Sequence, residues 1–90
     1  MGVFDKPETA LLVEAVLKLK DAEQCRLFLE DLLTAKEITD AAQRLAVAKL
    51  LLEKANYNTI TAETGASTAT ISRVNRCVVY GNGGYKSVLE

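Results

Sequence analysis

The chain has 90 residues with 12 acids, 11 Lys and Arg and no His, a net charge of −1, 49% apolar residues and a mean hydropathy of +0.08. A single domain of this size hides only about 60–65% of the surface its unfolded chain exposes, so this much apolar character points to self-association or a partner. Without histidine, paired carboxylates on one scaffold or a Gly-rich phosphate loop, the composition argues against an enzyme and against a metal site.

One Pro and five Gly, four of them from Gly65 onward, among many Leu, Ala, Glu and Lys favour an all-α chain, read as one domain over residues 1–90. Pro7 suits the first turn of a first helix, with Leu11, Leu12, Ala15, Val16 and Leu19 at helical spacing. Asp21 and Gln24 resemble a capping box that opens a second helix, whose stripe is Cys25, Phe28, Leu29, Leu32 and Leu33. Thr34 with Glu37 is a better box and opens a third helix running to about Lys54. That helix carries Ile38, Ala41, Leu45, Ala48, Leu52 and Ala55 on one side and Val47, Leu50 and Leu51 on others, so it is the expected spine. Together residues 8–55 are the expected dimerising helices.

Asn58 is the expected cap of a short helix over 59–64, stopped by Gly65, and Ser67 of a fifth helix reaching about Tyr80. The run 81–84, Gly-Asn-Gly-Gly, ends it, and residues 81–90 are expected as a turn or last helical turn that docks elsewhere. Five to six helices follow. Cys25 and Cys77 are far apart with no ligand cluster and read as small buried hydrophobes in a reducing compartment. The first residues lack a basic segment followed by an apolar run, and the longest apolar stretch, 45–52, is interrupted by Lys49 and too short for a bilayer. A soluble, cytoplasmic protein without a membrane partner is expected.

Residues 57–78 carry the functional signal as a helix-turn-helix. Two short helices must be locked at a steep angle by a tight turn, and Gly65 supplies a left-handed backbone there at no steric cost. Ile60 on the first helix and Ile71 and Val74 on the second have the spacing to pack the pair, while Thr61 is expected at a crowded crossing, where Ala would be apter. Tyr57 is the expected wedge anchoring the first helix. With Ile71, Val74 and Val78 inward, the opposite face shows Ser67, Thr68, Ala69, Ser72, Arg73 and Arg76. Small hydroxylated residues allow close approach to base edges, Ala or Thr can pack on a thymine methyl, and the arginines suit phosphate. Charge is polarised accordingly. Residues 1–40 hold nine acids and five bases (−4), and residues 41–90 six bases and three acids (+3).

The run TGASTATISR (64–73) resembles the reading head of the tryptophan repressor. With AQRLAVAKLL (42–51), TGASTATISRV and the GGYK ending, the chain over residues 8–90 resembles the YerC/YecD family of Trp-repressor-related proteins. The resemblance implies an intertwined homodimer in which N-terminal and central helices of two chains share one core. It also implies a transcriptional regulator, a repressor in this reading, that binds double-stranded DNA at a two-fold operator with half-sites about 34 Å apart. In the Trp repressor two arginines sandwich the indole of the corepressor with threonines nearby. Arg44 and Arg73 fall at the arginine positions and Thr34 and Thr70 at the threonines, which makes these four residues an effector pocket by resemblance.

Val74 stands where that family has a glycine beside the ring, Cys77 replaces a serine that helps hold the amino group, and the linker before the reading head is one residue shorter. The expectation is therefore no cofactor, with tryptophan disfavoured and another small corepressor left open. A structural alternative for Arg44 is an ion pair with Glu37 or Asp40. Two other functional readings remain: a helical protein-interaction module without DNA binding, and a repressor gated by an amino-acid-type effector.

Overall fold

The computed structural model describes residues 2–90, which are all-helical. After a short 3-10 turn (Val3–Asp5) come α1 (Pro7–Leu17), α2 (Ala22–Leu32), α3 (Ala35–Leu52), α4 (Tyr57–Thr64), α5 (Thr68–Tyr80) and α6 (Gly84–Leu89), and no strand occurs among the described residues. No helix among them is long and apolar enough to cross a membrane. The chain divides into two compact units, one ending at Thr34 and the other spanning Ala35–Glu90.

In the first unit, Pro7 occupies the first turn of α1, where its missing N–H costs nothing. The Thr9 hydroxyl donates to the carbonyls of Lys6 (2.8 Å) and Val3. Asp21 caps α2 by accepting the Gln24 N–H at 2.8 Å, and the Gln24 side chain reaches back to the Lys20 N–H at 2.9 Å, one residue beyond the usual box. These local signals work as the sequence suggests, but the apolar stripes do not close a core. No residue of α1 or α2 is buried, and Leu11, Leu17 and Leu27 are 65%, 78% and 58% exposed. Leu11, Leu12 and Ala15 of α1 and Phe28 and Leu32 of α2, with Glu8, line an open apolar groove of about 370 Å³.

The second unit has a closed core. Val47 and Ala48 of α3, Ile60 of α4, Ala66 in the turn, and Ile71 and Val74 of α5 are at most 2% exposed. Leu50, Leu51, Ala55, Tyr57, Val78, Tyr85 and Leu89 pack around them. The buried side of α3 is thus the 47, 48, 51 face. Of the expected stripe only Ala48 is buried, and Leu45 is 43% exposed. The reason is geometric: α4, α5 and α6 all pack on α3, and they meet it on the 47, 48, 51 side.

Asn56, not Asn58, caps α4. Its backbone is extended (φ −82°, ψ 167°) and its side chain accepts the Thr59 N–H at 2.9 Å, so the helix starts at Tyr57. Tyr57 is half-buried against the core, as expected for a wedge. Thr61 is exposed rather than at a crowded crossing, and the small buried residue at the turn is Ala66. Cys77 is also exposed and Cys25 only half-buried, which corrects their reading as buried hydrophobes, and both thiols are free.

α3 ends in a Schellman-type cap, with Ala55 N–H to Leu50 O and Lys54 N–H to Leu51 O, both 3.0 Å. The left-handed position of that cap is taken by Lys54 at φ 68° rather than by glycine. The last residues are a true helix, α6, capped by Gly83 at φ 83°, and Tyr85 and Leu89 dock it on the core of its own unit.

Candidate nucleic-acid interface

α4, the turn and α5 form the helix-turn-helix, and hydrogen bonds fix its turn from several sides. Gly65 takes the left-handed conformation (φ 72°, ψ 6°) and its N–H donates to Thr61 O at 2.9 Å, closing α4. The Thr64 hydroxyl donates to Ile60 O (2.7 Å) and accepts the Ala66 N–H (3.1 Å), bridging the end of α4 to the buried turn residue. From α3, the Gln43 side-chain amide donates to Thr64 O at 3.2 Å, tying the spine to the turn. Ser67 then caps α5, accepting the Thr70 N–H at 3.2 Å while its hydroxyl donates to Thr70 Oγ1 at the same distance. Sequence patterning found Gly65 and Ser67 but missed Gln43, Thr64 and Ala66. Thr64 had a local signal, a hydroxyl just before the turn glycine, whereas Gln43 meets its partner across 21 residues and had none.

Ile71 and Val74 are sealed in the core and Val78 packs against it, which fixes the rotation of α5 about its axis. All six residues expected on the outward face, Ser67, Thr68, Ala69, Ser72, Arg73 and Arg76, are exposed. Ala69, Ser72, Arg73 and Arg76 line a shallow hollow of about 320 Å³, and α5 carries no acid. Such a surface can bring donors and two guanidinium groups against a phosphate backbone while offering little steric bulk to base edges.

A second cavity of about 220 Å³ is also lined by Arg73, together with Asp40, Gln43, Arg44, Thr70 and Val74. The second unit therefore brings Arg44, Thr70 and Arg73 together, while Thr34 belongs to the first unit. Val74 is 2% exposed, committed to the core, and the rest of the lining is polar or charged. Asp40 pairs with Lys36 at 2.7 Å, and among the described residues no ion pair joins it to Arg44 or Arg73.

With this geometry in view, the relatives are informative. The family model for the Trp repressor protein matches residues 8–90. The uncharacterized protein YerC of Bacillus subtilis (strain 168) is 53% identical over 79 residues, 88% of this chain and 76% of that one. Among solved structures, a TrpR-like protein from Eubacterium eligens ATCC 27750 superposes with a TM-score of 0.92 at 47% identity, covering 94% of this chain and 88% of the other. A protein from Staphylococcus aureus described as a "putative Trp repressor" gives a TM-score of 0.91 at 40% identity, covering 99% and 92%. The matched fold is that of a regulatory family, not an enzyme family. The chain belongs to the Trp repressor protein family, within the YerC family of Trp-repressor-related proteins.

Proposed function

We propose that this protein is a sequence-specific DNA-binding transcriptional regulator, a repressor, that works as a homodimer on a two-fold operator. The observation that carries the reading is the outward face of α5: six small, hydroxylated or basic residues, all exposed, on a helix without an acid, held in place by a sealed inner face. Ser67, Thr68, Ala69 and Ser72 enter the major groove, where they meet base edges, and Arg73 and Arg76 meet phosphate.

The chain is net acidic, so one head offers few phosphate contacts and useful affinity comes from two heads on one dimer. The exposed leucines of α1 and α2 and their apolar groove support that pairing, because a lone chain rarely leaves so many large apolar side chains wet. The same exposed surface would also suit a protein-interaction module without DNA binding, and salt dependence separates the two readings. A tryptophan corepressor is not part of the proposal: the Arg44–Arg73 cavity is polar, and its one aliphatic group, Val74, is already packed.

Binding to mixed-sequence duplex should weaken steeply with salt through counterion release, and Arg76→Ala should lower the slope of log affinity against log salt by about 1 per head. Weak, salt-independent binding unaltered by Arg76→Ala would sink the DNA reading. Light scattering should give twice the chain mass, and a stable monomer at micromolar concentration contradicts the dimer.

A further inference from the structure

Arg73 lines two hollows. In one its neighbours are Ala69, Ser72 and Arg76, the surface offered to DNA. In the other they are Asp40, Gln43, Arg44, Thr70 and Val74. Two guanidinium groups, Arg44 and Arg73, therefore share one small cavity, an arrangement that self-repels unless a negative group stands with them. Asp40 is the acid in that wall. Its partner Lys36 holds it through one carboxylate oxygen at 2.7 Å, in an ion pair whose side chains are 85% and 45% exposed. Such a pair is screened and weak, and a carboxylate has lone pairs to spare for a second cation. Arg73 is exposed and lines both the cavity that holds Asp40 and the open basic face, so its long side chain can serve either.

We infer that Asp40 is an affinity-setting residue of the DNA interface: in the free protein its carboxylate draws the Arg73 guanidinium inward, and DNA must win that guanidinium from it. The inference rests on the DNA reading of α5 and adds to it a residue on another helix that touches no base. Asp40 is a positioning residue, acting only through Arg73. Removing its charge therefore tightens DNA binding, a gain that damage to the fold does not mimic.

The test is a double-mutant cycle on the intact chain, with duplex affinity measured across a salt series for the native protein, Asp40→Asn, Arg73→Gln and the pair. Asp40→Asn should bind about threefold to tenfold tighter, with its thermal melt little changed because the substitution is nearly isosteric. In the Arg73→Gln background the gain should vanish. Glu63→Gln, which removes an acid from the same unit outside this cavity, serves as control and should give less than twofold. An equal gain from Asp40→Asn with and without Arg73, or from Glu63→Gln, would show a general field effect and overturn the proposal, as would no gain at all. If no duplex binds any of the proteins, the DNA reading fails by itself. The Arg73 Nε–H resonance still decides the inward contact: it should shift and lose order in Asp40→Asn, and an unchanged signal overturns it.

Discussion

The two units are built from the same material and end differently. α1 and α2 are well-signalled helices, one with proline in its first turn and one with an Asp cap, yet nothing on them is buried and Leu11, Leu17 and Leu27 stay more than half exposed. Residues 35–90 include the shortest helices, an eight-residue α4 and a six-residue α6, yet they seal Val47, Ile60, Ile71 and Val74 almost completely. Helix formation and core formation are thus separate achievements. Three helices packed on α3 can surround a side chain, while in the first unit α1 and α2 have only each other to line their groove.

The largest expected effect is at the centre of the closed unit. Ile71→Ala should cost about 2–5 kcal/mol, since it empties a fully enclosed site, and the reading face should be lost with it. Chemical denaturation measures the first and duplex binding the second.

Leu11→Ala addresses the contrast most directly. On a bare surface it should change stability by less than about 0.5 kcal/mol, whereas under a second copy it should cost about 2–3 kcal/mol and make the melting temperature fall on dilution. The proposed dimer requires the second result, and a concentration-independent melt of unchanged midpoint would break it.

Smaller effects sharpen the account of the turn. Gly65→Ala should cost about 1–2 kcal/mol through its left-handed backbone alone, since a Cβ there meets no neighbour within 4 Å. Ser67→Ala should cost about 1 kcal/mol by uncapping α5. Lys54→Gly should stabilise by about 0.5–1 kcal/mol, because glycine suits the φ 68° position that Lys54 now holds. All three can be read from urea midpoints, and a destabilising Lys54→Gly would mean that the lysine side chain contributes more than its backbone costs.

Much of the helix-turn-helix was legible in the sequence because its determinants are local. A glycine four residues after Thr61 and a serine three before Thr70 are capping signals read within one turn, and the inward trio 71, 74, 78 follows from helical period. The errors fall where locality ends. Asn56 and Asn58 are equivalent as cap candidates until the backbone shows which is extended. Thr61 and Cys77 were placed inward although each lies on the exposed side of its helix, and Ala66, sealed by helices on either side, has no periodic pattern to mark it.

The candidate interface divides the same way. The exposed residues of α5 were legible, whereas the bond from Gln43 to Thr64 and the cavity that Asp40 shares with Arg73 join α3 to elements more than twenty residues away in the chain.

By itself, then, the sequence determined that the chain is helical, where most helices begin and end, and which face of α5 is apolar-backed and acid-free. Each of these depends on residues within about one turn of one another. Only the tertiary structure decided that α3 turns its 47, 48, 51 face to the reading head, that α6 closes the same core, and that Arg73 lines both the hollow on α5 and the cavity that holds Asp40. Periodicity records that a side chain is apolar and which way it points along its own helix, but what it meets there depends on how the other helices are placed around it.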